Sequence, residues 1–179
     1  MVVAGGFGAG KTTLVGAVSE ITPLRTEETL SQASAVTDDL VGVAGKTTTT
    51  VTMDFGRITF RDPDVVVFLF GMPGQDRFRR TWGLLSEGAV GAVVLADTRR
   101  LQDSFAALAH FEASGLPFIV AVNEFDTAHR YSENEIRTAL ALPGHLPVLT
   151  CDARKAHSAA SVLVRLVRHA QNLATGAGL

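Results

Sequence analysis

Gly5-Gly6-Phe7-Gly8-Ala9-Gly10-Lys11-Thr12 follows the apolar triplet Val2-Val3-Ala4 and precedes a segment of helical period. The octet fits the pattern G-x-x-x-x-G-K-[ST]. Its glycines allow a backbone path on which successive N–H groups turn inward around an anion. The helix opening beside Lys11 adds its positive N-terminal end. That helix is predicted from Thr12 to Ser19, with Leu14, Val15 and Val18 on one face. The stretch reads as strand, phosphate-cradling loop and helix. Lys11 is expected on the β- and γ-phosphates of a nucleotide, and Thr12 on Mg2+.

Outward from this loop, short apolar runs alternate with helical segments. Thr48 to Phe60 is Thr-rich and extended, Arg61-Asp62-Pro63-Asp64 is a turn, and Val65 to Phe70 is a continuous apolar run that predicts a buried strand. Ala89 to Ala96, Phe118 to Val122 and Pro147 to Cys151 are the remaining strands. Helices are predicted at Ser104–Ser114, from the Ser132/Glu135 capping box through Leu142, and at Ser158–Ala174. Residues 20 to 46 are polar and read as loops or short helical turns. The alternation predicts an α/β fold: a doubly wound, mostly parallel six-stranded sheet with one antiparallel edge strand. Residues 1–179 read as one domain.

Composition narrows the function classes. The 179 residues carry 16 Lys+Arg against 18 Asp+Glu, a net charge of −2, so no overall field draws the chain to nucleic acid. At 46% hydrophobic and 19% charged residues the chain is a core former, not a disordered polymer. The single cysteine, Cys151, excludes an internal disulfide and a thiolate zinc site, and is expected to be buried. His110, His129, His145, His157 and His169 show no metal-ligand spacing. With no signal peptide and no long apolar run, the expectation is a cytoplasmic protein without a membrane anchor of its own, reaching a membrane only through a partner. Arg77, Arg79 and Arg80 read as a solvated helix start, Arg99-Arg100 as a solvated turn, and Trp82 as core.

Three further loops follow predicted strands: Gly71-Met72-Pro73-Gly74-Gln75-Asp76-Arg77-Phe78, Asn123-Glu124-Phe125-Asp126 and Cys151-Asp152-Ala153-Arg154. In open α/β sheets such loops converge on one ligand. In this order the motifs resemble those of the small Ras-like P-loop GTPases across essentially the whole chain. Thr50-Val51-Thr52-Met53-Asp54-Phe55 resembles a switch I strand, Gly71 to Phe78 a switch II, Asn123–Asp126 the Asn-Lys-x-Asp base motif and Asp152–Arg154 the Ser-Ala-Lys loop. The strings at 45–56 and 97–101 are similar to those of the actinobacterial conservon-type GTPases, related to the bacterial polarity GTPases that act with Roadblock proteins.

The resemblance implies a GTP-binding switch, one G domain over 1–179, that hydrolyses GTP slowly to GDP and phosphate with Mg2+. It implies nucleotide contacts from Gly6, Phe7, Gly8, Ala9, Gly10, Lys11, Thr12 and Thr13, from Thr50 and Gly74, and from Asn123, Asp126, Ala153 and Arg154. Gln75 would orient the attacking water beside Lys11, and Thr12 and Thr50 would meet the metal. Asn123 would brace the loop and bond the base N7, Asp126 would accept from guanine N1 and N2, and the Ala153 N–H would meet guanine O6. A Roadblock-type regulator and a sensor-kinase-like protein are the implied partners. Gly71 stands where the family has an aspartate supporting Mg2+, Phe7 where Ras proteins have glycine, and Glu124 where the base motif has lysine. A non-hydrolysing nucleotide-binding module and a P-loop kinase or ATPase are the alternative readings.

Overall fold

The shortest strand stands at the centre of the sheet. A computed structural model describes residues 1–30, 49–61, 64–75 and 78–176, with backbone alone at 25–30 and 49–52. The strands are β1 (Val2–Ala4), β2 (Leu24–Leu30), β3 (Thr49–Arg61), β4 (Asp64–Gly71), β5 (Ala92–Ala96), β6 (Phe118–Asn123) and β7 (Val148–Cys151). The helices are α1 (Lys11–Val18), α2 (Arg79–Ser86), α3 (Phe105–Ser114), α4 (Glu133–Ala139) and α5 (Ala156–Ala174), with a 3₁₀ segment at Thr98–Ser104. The sheet order is β2-β3-β4-β1-β5-β6-β7. β1 pairs in parallel with both β4 and β5, so its three residues are covered on every side.

Alternate residues of the central strands feed two cores. Val2 and Ala4 pack in the layer that holds Trp82, Phe111 and Ile136, beneath α2, α3 and α4. Val3 packs with Leu14, Val15, Leu163 and Leu166 in the layer of α1 and α5. Burial on both faces is what turns β5 and β6 into continuous apolar runs.

The expected mostly parallel sheet with one antiparallel strand is present, with additions. β3 runs antiparallel to β4, and β2 pairs antiparallel to β3, so β2 makes a seventh strand and takes the edge. Residues 24–30, expected to be irregular, are therefore a strand. Their charged sequence hides any alternation because an edge strand need not bury a face. Residues 31–48, including Thr47 and Thr48, lie outside the described residues.

β4 also departs from a doubly buried strand. Val67 and Leu69 enter the α1/α5 core, while Val65, Val66 and Phe68 remain roughly half exposed. On the other face the eight-residue α2 layer reaches Phe70 at the strand's end and leaves Phe68 stacked on Phe55, at 5.8 Å. α4 opens on the expected capping box, with the Ser132 N–H donating to Glu135 Oε2 at 2.8 Å and the Glu135 N–H donating to Ser132 Oγ at 3.3 Å. It ends at Ala139, short of Leu142, because Ala141 turns to φ 53°. That turn lets Leu140 and Leu142 both bury.

Candidate functional site

The phosphate loop leaves β1 and enters α1 through Gly10, whose φ of 105° is left-handed. A Cβ at Gly10 would lie 2.4 Å from Asn123 Nδ2, so the position is closed to side chains by both conformation and space. Asn123, at the end of β6, is buried. Its Nδ2 donates to the Ala9 carbonyl at 3.0 Å, and its Oδ1 accepts the Ala153 N–H at 3.0 Å. One side chain thus ties the phosphate loop to the loop after β7. The Ala153 N–H, expected to meet guanine O6, donates to Asn123 here.

Lys11 Nζ donates to the carbonyls of Gly5 at 3.0 Å and Gly6 at 2.7 Å. Burial lowers its pKa to about 8, and the nearby Asp54 carboxylate opposes that shift. Gly74 closes over the same ammonium. A Cβ there would lie 2.6 Å from Lys11 Nζ and 2.8 Å from the Gly5 carbonyl oxygen. Ala9 is buried, Thr13 sits exposed in the first turn of α1, and Phe7 is 65% exposed.

The most informative contact is one that a linear reading passes over. Thr12 Oγ1 donates to Asp54 Oδ2 at 2.5 Å, and Asp54 is buried. Asp54 is the register partner of Gly71 across the β3/β4 hairpin. A Cβ at Gly71 would lie 3.1 Å from Asp54 Cβ and Oδ2, so the glycine leaves the room that the neighbouring carboxylate fills. A buried carboxylate thus stands on the adjacent strand beside position 71. A hydroxyl and a carboxylate are hard oxygen donors, which suits Mg2+ held jointly with phosphate oxygens. The side chain of Thr50 lies outside the described residues; its backbone pairs with Thr29 in β2. Among the described residues no cluster of three or more His, Cys, Asp or Glu could hold a metal by itself.

Gln75 and Phe7 share a cleft of about 620 Å3 with Gly74, Arg79, Arg100, Gln102 and Asp103. Asp103 packs so close to the phosphate loop that a Cβ at Gly6 would lie 2.5 Å from its own Cβ. It pairs with Arg100 at 3.0 Å. Arg99 reaches the base loop: its guanidinium is 3.6 Å from the Phe125 ring centroid and is bonded to Asp97, with Nη2 to Oδ2 at 2.7 Å. Arg99 and Arg100 are both exposed, as a solvated turn requires, and lie in the 3₁₀ segment Thr98–Ser104. Trp82 is core, as expected, and its indole N–H donates to the Pro73 carbonyl at 3.0 Å. Asp76 and Arg77 lie outside the described residues.

At the base end, Asp126 and Asp152 are bridged by Arg154. Arg154 Nη1 and Nη2 donate to Asp126 at 2.8 and 3.0 Å, while Nε and Nη2 donate to Asp152 at 2.8 and 3.0 Å. Those hydrogen bonds hold the Asp126 carboxyl below the ordinary carboxylate range, and Asp152 further below it. Glu124, in the position of the motif lysine, pairs with Arg130. Cys151 is buried beside this loop, and burial pushes its thiol up to about 12.

Residues 3–173 match the family profile described as "Conserved hypothetical ATP binding protein". A translation initiation factor IF-2 from Finegoldia magna is 31% identical over 107 residues, which span 59% of this chain and 14% of the factor. The G domain of the T. maritima FeoB iron transporter superposes with a TM-score of 0.65 at 19% identity, covering 95% of this chain and 97% of that one. The cytosolic domain of the same transporter in its GMPPNP form gives 0.65 at 19% identity over 95% of this chain and 63% of its own. Among the described residues no helix is long and apolar enough to cross a membrane.

Proposed function

The chain belongs to the family of conserved hypothetical ATP binding proteins, and from that premise we propose that it is a P-loop nucleotide switch that prefers guanine and hydrolyses GTP slowly to GDP and phosphate. The observation that carries the reading is the Asn123 bridge, which fastens the phosphate loop to the base loops and makes them one site. The guanine preference rests on Asp126, whose two acceptor oxygens suit the two adjacent donors of guanine N1 and N2; adenine offers a donor beside an acceptor. The family's description favours ATP as the second reading. Displacement of a labelled nucleotide separates the two: GTP and GDP should outcompete ATP and ADP, and equal competition sinks the guanine assignment.

In the proposed cycle Lys11 exchanges the two carbonyls it now holds for phosphate oxygens. Burial lowers its pKa, and a phosphate anion would oppose that shift by favouring the charged ammonium. Thr12 and Asp54 would hold Mg2+, which when bound supplies neutralising charge to the phosphates. Gln75 orients water over the phosphate loop, and Phe7 narrows the approach for an arginine from outside. Intrinsic turnover should then sit near or below the ~10⁻⁴ s⁻¹ scale of unassisted small GTPases. Single-turnover assays of Gln75→Leu test this: a lower rate with nucleotide affinity retained supports the role, and an unchanged rate removes Gln75 from it. A binder that never turns over would show no phosphate release at all.

Nucleotide state should alter residues 25–55 and 71–82, where the γ-phosphate would be sensed. The resemblance to the conservon GTPases supports a cytoplasmic signalling role through a Roadblock-type regulator and a sensor-kinase-like partner. Purified partner proteins in pull-down with GDP and with a non-hydrolysable GTP analogue test it; binding insensitive to the nucleotide argues against a switch.

A further inference from the structure

We propose that Arg154 sets the affinity and the base preference of the site by contending with the guanine edge for the two oxygens of Asp126. The inference rests on the reading of Asp126 as the guanine-facing carboxylate. It starts from how Arg154 is held. A guanidinium has two donor edges. The Nε/Nη2 edge lies on Asp152 at 2.8 and 3.0 Å, and the Nη1/Nη2 edge on Asp126 at 2.8 and 3.0 Å.

The two forks are unequally anchored. The Asp152 side chain is 7% exposed, and it also accepts the Arg154 backbone N–H at 3.1 Å and pairs with Lys155 Nζ at 3.3 Å. The backbone N–H of Asp152 donates to Ser158 Oγ at 3.0 Å in the first turn of α5. The Asp126 side chain is 78% exposed, and its hydrogen bonds come from Arg154. The inner fork is therefore fixed and the outer fork is the one that can open.

Guanine N1–H and its 2-amino group form a planar pair of adjacent donors, the same pattern that the Nη1/Nη2 edge presents. A guanine that bonds Asp126 in this way must displace the outer fork while Arg154 stays on Asp152. Adenine does not compete for those oxygens and leaves the fork in place. Arg154 thus lowers affinity for guanine nucleotides selectively, speeds their release, and moderates the preference over adenine. An exposed ion pair is a weak competitor, so the effect is a few-fold.

The test compares GDP and ADP affinities and GDP release rates for the wild type, Arg154→Met, Arg154→Lys, Asp126→Ala and the Asp126→Ala/Arg154→Met double variant. Arg154→Met should tighten GDP by about two- to fivefold, the range set by an exposed pair, with release slowed in proportion and ADP unchanged. In the Asp126→Ala background the same substitution should give no tightening. Arg154→Lys keeps a cation for Asp152 without the fork and should fall between wild type and Arg154→Met; it serves alone if the methionine variant does not fold. GDP affinity that is unchanged or weaker in both Arg154 variants overturns the proposal. Failure of the guanine reading has a separate sign: Asp126→Ala would leave the GDP-to-ADP ratio at its wild-type value.

Discussion

At the phosphate end, Lys11 holds the Gly5 and Gly6 carbonyls beneath the bare Cα of Gly74, and the Thr12 hydroxyl donates to Asp54. At the base end, Asp126, Arg154 and Asp152 meet through four charge-assisted hydrogen bonds, half of them on a carboxylate open to water. The first region is limited by volume, because backbone and glycine pack to within 3 Å of where a methyl group would sit. The second is limited by charge balance, which solvent and neighbouring side chains can buffer. Substitutions should therefore act steeply at one end and shallowly at the other.

Gly10→Ala should produce the largest change. It combines a left-handed φ with a Cβ 2.4 Å from Asn123 Nδ2. Backbone strain and overpacking together should lower unfolding free energy by about 2–4 kcal/mol, read by urea denaturation. A loss within error would break the volume argument. Next comes Asn123→Ala, which strands the Ala9 carbonyl and the Ala153 N–H in a buried place. The expected loss is about 2–3 kcal/mol, from the penalty for unpaired buried groups. Because Asn123 joins the two ends, it should behave like the phosphate end although it sits in the base motif.

A pH series probes the same buried region by charge. Folding moves the Lys11 pKa from 10.5 down to about 8. Between those values the unfolded chain binds more protons than the folded one, so this group makes stability rise with pH across about 8 to 10.5. The full displacement would amount to about 3 kcal/mol, and solvent screening at this partly exposed group brings the rise to the order of 1–2 kcal/mol, absent in Lys11→Met. A fall in stability attributable to Lys11 over that window would reverse the sign of the argument. The smallest effect should come from Arg130→Gln, which removes the exposed pair with Glu124. Its stability change should stay within about 0.5 kcal/mol. A change above 1 kcal/mol would show that the base end is more than a buffered charge network.

Much of this architecture is legible in the sequence because apolar run and strand coincide where both faces are buried. β5 and β6 can be read directly, and so can the phosphate loop, whose glycines have a geometric reason. β2 is illegible: Leu24–Leu30 carries charge and shows no clear alternation of apolar and polar residues to mark it. Asp54 is the instructive case. The turn over residues 61–64 is plain in the sequence, and counting back along the hairpin from that turn places Asp54 beside Gly71. The information lies in the register, not in the motif, and a motif read along one strand shows only a missing acid. The Arg154 bridge is hidden for another reason, since it joins side chains from two loops that adjoin only after β6 and β7 pair.

The single tryptophan of the chain has a use of its own. Trp82 holds the carbonyl of Pro73, the residue before the glycine that caps Lys11, and its ring meets the His110 imidazole edge-on at 5.5 Å. Indole emission shifts colour when its N–H loses a partner and changes brightness beside an imidazole. The fold therefore carries an optical gauge wired to the loop above the phosphate site. With one fluorophore of that kind the light has one origin, and a stopped-flow trace of unlabelled protein follows the loop in real time.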